Sequence, residues 1–256
     1  MSHSDPESES FSQEQISHIQ YALAEDIGSG DVTTNSIVPL DAVMKGQIIA
    51  KQDGVVAGLD VAPPTLRQPG FTPLAVDLAD GPALERAAAG LQGADALVHA
   101  AGVLRVGPLG RLDAAAGALM WQLHVDAATR LANALVPAMA DRGQGRVVFI
   151  GSRVAQGLPG RGQYAATKAA LVALARSWAV EVAPRGVTVN VVSPGATATA
   201  MLQDPARAAS APRLPPIGRL VEPAEIAALV AYLLSPPAAA ITGQELRICG
   251  GASLAQ

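Results

Sequence analysis

The sequence predicts an α/β fold, a doubly wound parallel sheet with helices on both faces, and three observations predict it. From Val55 onward, short apolar runs alternate with longer segments of helical spacing, the rhythm of strand–helix–strand units. The runs are nearly all apolar, as strands buried on both faces are, rather than alternating as in a sheet wet on one face. Several of them end in loops rich in small residues, which is where ligands bind in such sheets.

The elements follow in order. Residues 1–10 read as a polar tail. Ser12 to about Glu25 carries helical spacing at Ile16, Ile19, Ala22 and Leu23, with Ser12 as cap and Gln15 three residues on. Gly28 to Asp31 is a loop, and Gly46–Ala50 and Gly54–Leu59 are two strands joined by a turn at Gln52–Gly54. The alternating region then begins with the strand Val55–Asp60. A strand at Leu74–Asp77, a helix at Pro82–Gly90 and a strand at Ala96–Val98 come next. A loop covers His99–Gly107, and a helix covers about Met120–Met139. The strand Arg146–Ile150, the helix Gln163–Ala183 and the strand Thr188–Val192 follow. The helix Pro223–Leu234 and the strand Glu245–Ile248 close the pattern.

Composition narrows the function. The chain has 256 residues, half of them hydrophobic and 16% charged, which suits one large domain or two small ones with a real core. A net charge of −4 gives no electrostatic footprint for nucleic acid or for an anionic membrane. No apolar stretch is long and clean enough to span a bilayer. The polar, acidic opening lacks the basic start and apolar run of a signal peptide. The single Cys249 allows no internal disulfide. Together these features point to a cytoplasmic protein.

A compositional seam lies near residue 60. All fifteen arginines stand at or after Arg67, whereas two of the three lysines, Lys45 and Lys51, stand before it. The expected division is a segment 1–54 of one origin and a domain 55–256 of another.

The third lysine is the informative one. Tyr164 and Lys168, in QYAATKAAL, lie four apart on a predicted helix and so share a face. A phenol of pKa about 10 is a poor proton carrier at neutrality, but a nearby ammonium favours the phenolate and lowers that value. The alternative is an ordinary amphipathic helix with an exposed lysine. Lys168 is the only lysine from residue 52 onward, in a stretch that otherwise uses arginine, which suggests a position that needs a compact ammonium. Ser152, after the apolar strand Val147–Ile150, offers a hydroxyl at a strand's C-terminal end, or a plain turn serine.

Ser152, Tyr164 and Lys168 in this order resemble the Ser–Tyr–Lys set of the short-chain dehydrogenases/reductases, whose fold is Rossmann-like. LVHAAG, with Ala101 and Gly102, resembles that family's NNAG segment. AVDLAD, with Asp77 and Leu78, resembles its adenine-binding segment. VNVVSPGATATAM, with Pro194, Gly195, Thr197 and Thr199, resembles the segment touching the nicotinamide end. ITGQ and CGGASL resemble the last strand. The resemblance covers about 200 residues. It implies hydride transfer between a nicotinamide cofactor, NAD with NADP as the alternative, and a small alcohol or carbonyl substrate. Tyr164 would be the acid/base, Lys168 would lower its pKa and hold the nicotinamide ribose, and Ser152 would orient the substrate oxygen. A homodimer or homotetramer is also implied.

Some features depart from that family. Nothing matches its opening strand and TGxxxGxG turn, whose glycines let the backbone approach the dinucleotide phosphates. Residues 22–39 and 48–62 instead resemble the N-terminal domain of quinolinate phosphoribosyltransferase, so the chain looks chimeric. That enzyme's catalytic motifs have no match here. Asp60 falls in the overlap, as a ligand of the adenosine ribose or as part of the N-terminal piece. His124 stands where the family places an asparagine that helps to hold a relay water; it either holds a water or moves a proton, or is a buried histidine satisfied locally. The Ser152–Tyr164 loop is one residue shorter than is common in the family. HAAGVLRVG and the GGASL ending resemble the dihydro-dihydroxybenzoate dehydrogenase branch, which implies a cyclic secondary alcohol or ketone. Met201–Arg219 is expected to cover the substrate as a lid. Two other readings stay open: an inactive or impaired chain lacking the phosphate turn, and a phosphoribosyltransferase fragment. Loss of the first strand is expected to expose apolar edges and to lower stability or drive association.

Overall fold

A computed structural model describes residues 56–61, 70–199 and 214–254. The expected helix Ser12–Glu25, the loop Gly28–Asp31, the strand Gly46–Ala50 and the proposed lid through residue 213 lie outside the described residues.

The first strand, β1, spans Val56–Asp60 and pairs in parallel with β2, Phe71–Ala75. The sequence places β2 three residues later. The structure starts it after Gly70, whose φ of 83° turns the chain into the strand, and the register from Val56↔Phe71 to Asp60↔Ala75 uses up β1 there. Asp77 is thereby left in the following loop, where its Oδ1 accepts from the Ala79 N–H at 2.8 Å. Helix α1, Gly81–Ala89, starts at Asp80, whose carboxylate accepts from Ala83 N–H, a cap that satisfies an orphan donor. Strand β3 is Ala96–His99.

Helix α2, Ala114–Trp121, begins six residues before the expected start. Asp113 caps it by accepting from the N–H groups of Ala115 and Ala116. The chain then passes through one π-helical turn, Gln122–Asp126, into α3, Ala127–Asp141. Strand β4 is Gly145–Ile150, α4 is Gly162–Val182 and β5 is Val187–Pro194. Helix α5, Pro223–Leu234, opens on a reciprocal box between Glu222 and Glu225, and β6 is Glu245–Ile248; both bounds match the sequence reading.

Strands β3-β4-β5-β6 form one parallel sheet in that order, and β1-β2 form a separate parallel pair. Alternate residues face opposite layers. Leu97, Val147, Phe149, Val189 and Val191 share a core with Leu123, Leu131, Leu135 and Leu171. Val98, Val148 and Val192 share another with Ile226, Val230 and Leu233. Helices therefore cover both faces, as a doubly wound sheet requires. β1 keeps the same sense, with Leu59 in the first core and Val56 in the second. Among the described residues no strand pairing joins β1 to β3. The expected exposed edges are nonetheless not found at these strands: Ala96, Leu97, Val98 and His99 are all at most 5% exposed, and Val56, Ala57 and Leu59 are buried. Burial extends to β1 as well as to β3, while β2 is largely exposed.

Candidate active site

Parallel pairing in register brings the C-terminal ends of β3, β4 and β5 to one edge of the sheet. The chain leaving β4 passes through Gly151, whose N–H donates to Val192 O at 2.7 Å. A Cβ there would lie 2.5 Å from Ser193 Oγ, so only glycine lets the strand run so close to β5 before it opens into Ser152. Ser152 is extended, and its Oγ accepts from Val154 N–H at 3.2 Å to cap the short 3₁₀ turn Arg153–Gln156. An accepting hydroxyl keeps its own O–H for another oxygen.

Helix α4 presents Tyr164 and Lys168 one turn apart, both buried. Lys168 Nζ donates to Ile150 O at 2.8 Å, two residues before Ser152, and lies 5.8 Å from the centroid of the Tyr164 ring. The lysine therefore pins the Tyr164–Lys168 face of α4 to the end of β4. Burial lowers the Lys168 pKa from 10.5 to about 7, because desolvation penalises the charged form.

Two buried histidines close the other side. The Nε2–H of His99 donates to Leu123 O at 3.0 Å, and burial, with the nearby Lys168 charge, pushes its pKa down to about 4. His124 sits in the π-helical turn. Its Nε2 accepts from Val103 N–H at 2.9 Å, its Nδ1 meets Thr167 Oγ1 at 2.7 Å, and the Thr167 hydroxyl donates to Tyr164 O at 2.9 Å. The His124 and Tyr164 rings meet edge to face at 5.5 Å. Burial, then the charges of Lys168 and His99, hold the His124 pKa well below its ordinary value. Gly102 lies between them: a Cβ there would be 3.0 Å from His124 Nε2 and 3.2 Å from Lys168 Nζ.

Tyr164, Lys168, His124, Ala101 and Gly102 are thus brought together, with Ser152 at the strand end that Lys168 grips. Pro194 and Gly195 leave the C-terminal end of β5, next to β6. The Gly195 N–H donates to Ile248 O, and Thr197 Oγ1 donates to Gly195 O. Thr199 N–H donates to Thr197 O, which tightens this loop. Asp60 and Asp77 stand at the C-terminal end of the separate β1–β2 pair. Leu78 is buried in the core, so only its backbone remains for a ligand. Sequence reasoning assigned no role to Thr167, His99 or Arg161. Arg161 is 5% exposed, and burial lowers its pKa while its interaction with Tyr164 raises it. The one available signal was position: Thr167 is next to Lys168, and His99 ends an apolar strand. No helix among the described residues is long and apolar enough to cross a membrane.

Residues 70–253 match the family profile described as enoyl-(acyl carrier protein) reductase. The 3-oxoacyl-[acyl-carrier-protein] reductase of Vibrio cholerae is 41% identical over 163 residues, 62% of this chain and 66% of that protein. The Escherichia coli protein of the same description is 40% identical over 172 residues, 66% of this chain and 70% of the relative. The chain thus spans about two thirds of the length of these curated relatives. A solved structure described as a short chain dehydrogenase/reductase family protein superposes with a TM-score of 0.67 at 36% identity, covering 72% of this chain and 78% of that one. A putative betaketoacyl-ACP reductase superposes with a TM-score of 0.64 at 35% identity, over 72% and 79% of the two chains. The profile match starts at Gly70, after β1. The chain belongs to the short-chain dehydrogenase/reductase family of oxidoreductases.

Proposed function

We propose that this chain transfers hydride between NAD(P) and a secondary alcohol or ketone, with Ser152, Tyr164 and Lys168 as its catalytic residues. The observation that carries this reading is the buried Tyr164–Lys168 face of α4, pinned through Lys168 Nζ to Ile150 O beside Ser152. In reduction, the Tyr164 hydroxyl donates its proton to the substrate oxygen; in oxidation, its phenolate takes that proton back. The Lys168 ammonium stabilises the phenolate. The Ser152 O–H, free to donate because its oxygen accepts from Val154, holds the substrate oxygen against Tyr164.

The described residues fit the nicotinamide half of the cofactor. Among the described residues Lys168 Nζ donates to Ile150 O, and an ammonium has three donors, so it retains capacity for ribose hydroxyls. Ala101, Gly102, Pro194, Gly195, Thr197 and Thr199 would line that half, while Asp60, Asp77 and the Leu78 backbone would take the adenosine half. When bound, the nicotinamide supplies or accepts the hydride. NAD is the proposed cofactor if Asp60 holds the ribose hydroxyls; NADP is the alternative.

Two substrate classes follow. The sequence resemblance favours a cyclic ketone or alcohol, and the descriptions of the relatives favour a 3-oxoacyl thioester. Oxidation of NADH and NADPH is measured with acetoacetyl-CoA and with cyclohexanone as probes. Turnover of either one that falls by about 10²-fold or more in Tyr164→Phe, the scale of general acid–base catalysis, supports the reading. Turnover indifferent to Tyr164→Phe removes it.

A second reading is an impaired chain without a phosphate cradle. It is favoured by the break in pairing between β1 and β3 and by the absence of a TGxxxGxG turn from the sequence. The origin of residues 1–54 from a phosphoribosyltransferase-like source is supported by their wording and by the Lys/Arg exchange. Sequencing the natural locus across this junction tests it. A homodimer or homotetramer is read out by light scattering.

A further inference from the structure

His124 occupies a centre that the proposed chemistry leaves unexplained. It is fully buried in the one π-helical turn among the described residues, a distortion often found at functional sites. Its hydrogen bonds determine its chemical form. Val103 N–H is a fixed donor, so Nε2 must offer a lone pair. The Nδ1–H then donates to Thr167 Oγ1, and the Thr167 hydroxyl donates onward to Tyr164 O. The directions are consistent along the whole run. Protonating Nε2 would set two donors against each other at Val103, in a buried site already facing the Lys168 ammonium. The titratable groups around the ring are Lys168, His99 and Tyr164.

His99 makes the contrast. Its Nε2 faces a carbonyl and must carry the proton, which leaves its Nδ1 as a buried acceptor with no hydrogen-bond partner among the described residues. The two neighbouring rings therefore hold opposite tautomers, and the only bare, unengaged nitrogen belongs to His99.

We propose that His124 is a positioning residue. A fixed neutral tautomer, protonated at Nδ1, couples the loop after β3 to the Tyr164 turn of α4 through Thr167 and carries no proton to or from the site. This rests on the proposed role of Tyr164. It assigns to the histidine the task of setting where the phenol stands rather than of supplying it with protons.

The test begins on the wild-type chain without cofactor. Two-bond ¹H–¹⁵N correlation of the imidazoles, with the His124 signals assigned by their loss in His124→Asn, reads the tautomer directly. The expected result is a bare Nε2 and a protonated Nδ1, unchanged from about pH 5 to about pH 8, where an ordinary histidine titrates. A protonated Nε2, or titration in that window, overturns the proposal.

Kinetics supply the second arm. His124→Gln can keep an acceptor near Val103 but loses the donor to Thr167, and Thr167→Val removes the link to Tyr164. Each is expected to lower kcat by roughly tenfold, with little change in the nucleotide KM and no shift of the pH profile. The double variant should be no worse than either single one, because both cut the same connection. A shifted pH profile in His124→Gln alone would instead mark a proton carrier and overturn the proposal. Wild-type turnover in Tyr164→Phe would remove the catalytic reading while leaving the tautomer result standing, so the two failures are distinguishable.

Discussion

Replacing Lys168 with methionine should stabilise the protein at neutral pH and, on the proposed mechanism, abolish turnover. The unfolded chain holds this ammonium up to its ordinary pKa near 10.5, whereas the folded chain holds it only to about 7. Between those values unfolding takes up a proton, so stability rises with pH across that window and is flat below it. At roughly 1.4 kcal/mol per pH unit, the burial of Lys168 costs about 5 kcal/mol at pH 7, fading as pH approaches 10.5. Methionine removes that cost but deprives Ile150 O of its donor, a loss of about 1–3 kcal/mol for a buried acceptor. Lys168→Met should therefore be more stable by a few kcal/mol near pH 7, and the advantage should vanish or reverse near pH 10. Urea unfolding of both forms at each pH measures this. Both forms are compared in a Tyr164→Phe background, so that the lysine is the one active-site group that differs between them. A difference between the two forms that stays constant across this window refutes the reasoning, because it would mean the folded lysine keeps its ordinary proton affinity.

Three further outcomes are expected. The kcat/KM should fall as pH rises through about 7, where Lys168 loses the charge that favours the Tyr164 phenolate; a profile flat to about pH 9 contradicts this, and stopped-time assays across pH check it. Gly102→Ala should impair both activity and folding by about 1–3 kcal/mol of overpacking, because its methyl would press on His124 Nε2 and Lys168 Nζ; thermal and urea melts measure it. Phe149→Ala should cost about 3–5 kcal/mol, since this fully buried ring meets His99 and Trp178 edge to face; near-normal stability by urea melting would mean the core collapses to fill the space.

The parts of the fold that were readable from sequence have local causes. Helix α5 is bracketed by its own Glu222/Glu225 box, and β6 is a short isolated run, so both were placed correctly. Strand β2 was misplaced because FTPLA carries Pro73 and looks unlike a strand beside the more apolar LAV. Among the described residues it pairs with β1 alone, an edge position where proline is tolerated. The start of α2 was missed because AAAGAL has no polar face to reveal a helical period; the Asp113 cap, not periodicity, begins it. The π-helical turn leaves no sequence signal at all.

The same division holds at the site. Tyr164 and Lys168 were legible because they sit one helical turn apart, and Lys168 because it stands out among arginines. Thr167 and His99 were not, because their significance lies in partners 43 and 24 residues away in the chain. Weighing the two readings of His124 likewise needs Val103, from the loop after β3, a strand that packs against α3.

The most direct test of the central claim is calorimetric titration of the purified chain with NADH and with NADPH, alongside Lys168→Met. The account predicts micromolar binding of at least one nucleotide, weakened in the variant, with preference for NADH if Asp60 holds the ribose. Binding of neither would contradict it and would leave Ser152, Tyr164 and Lys168 as an assembled set with no hydride carrier.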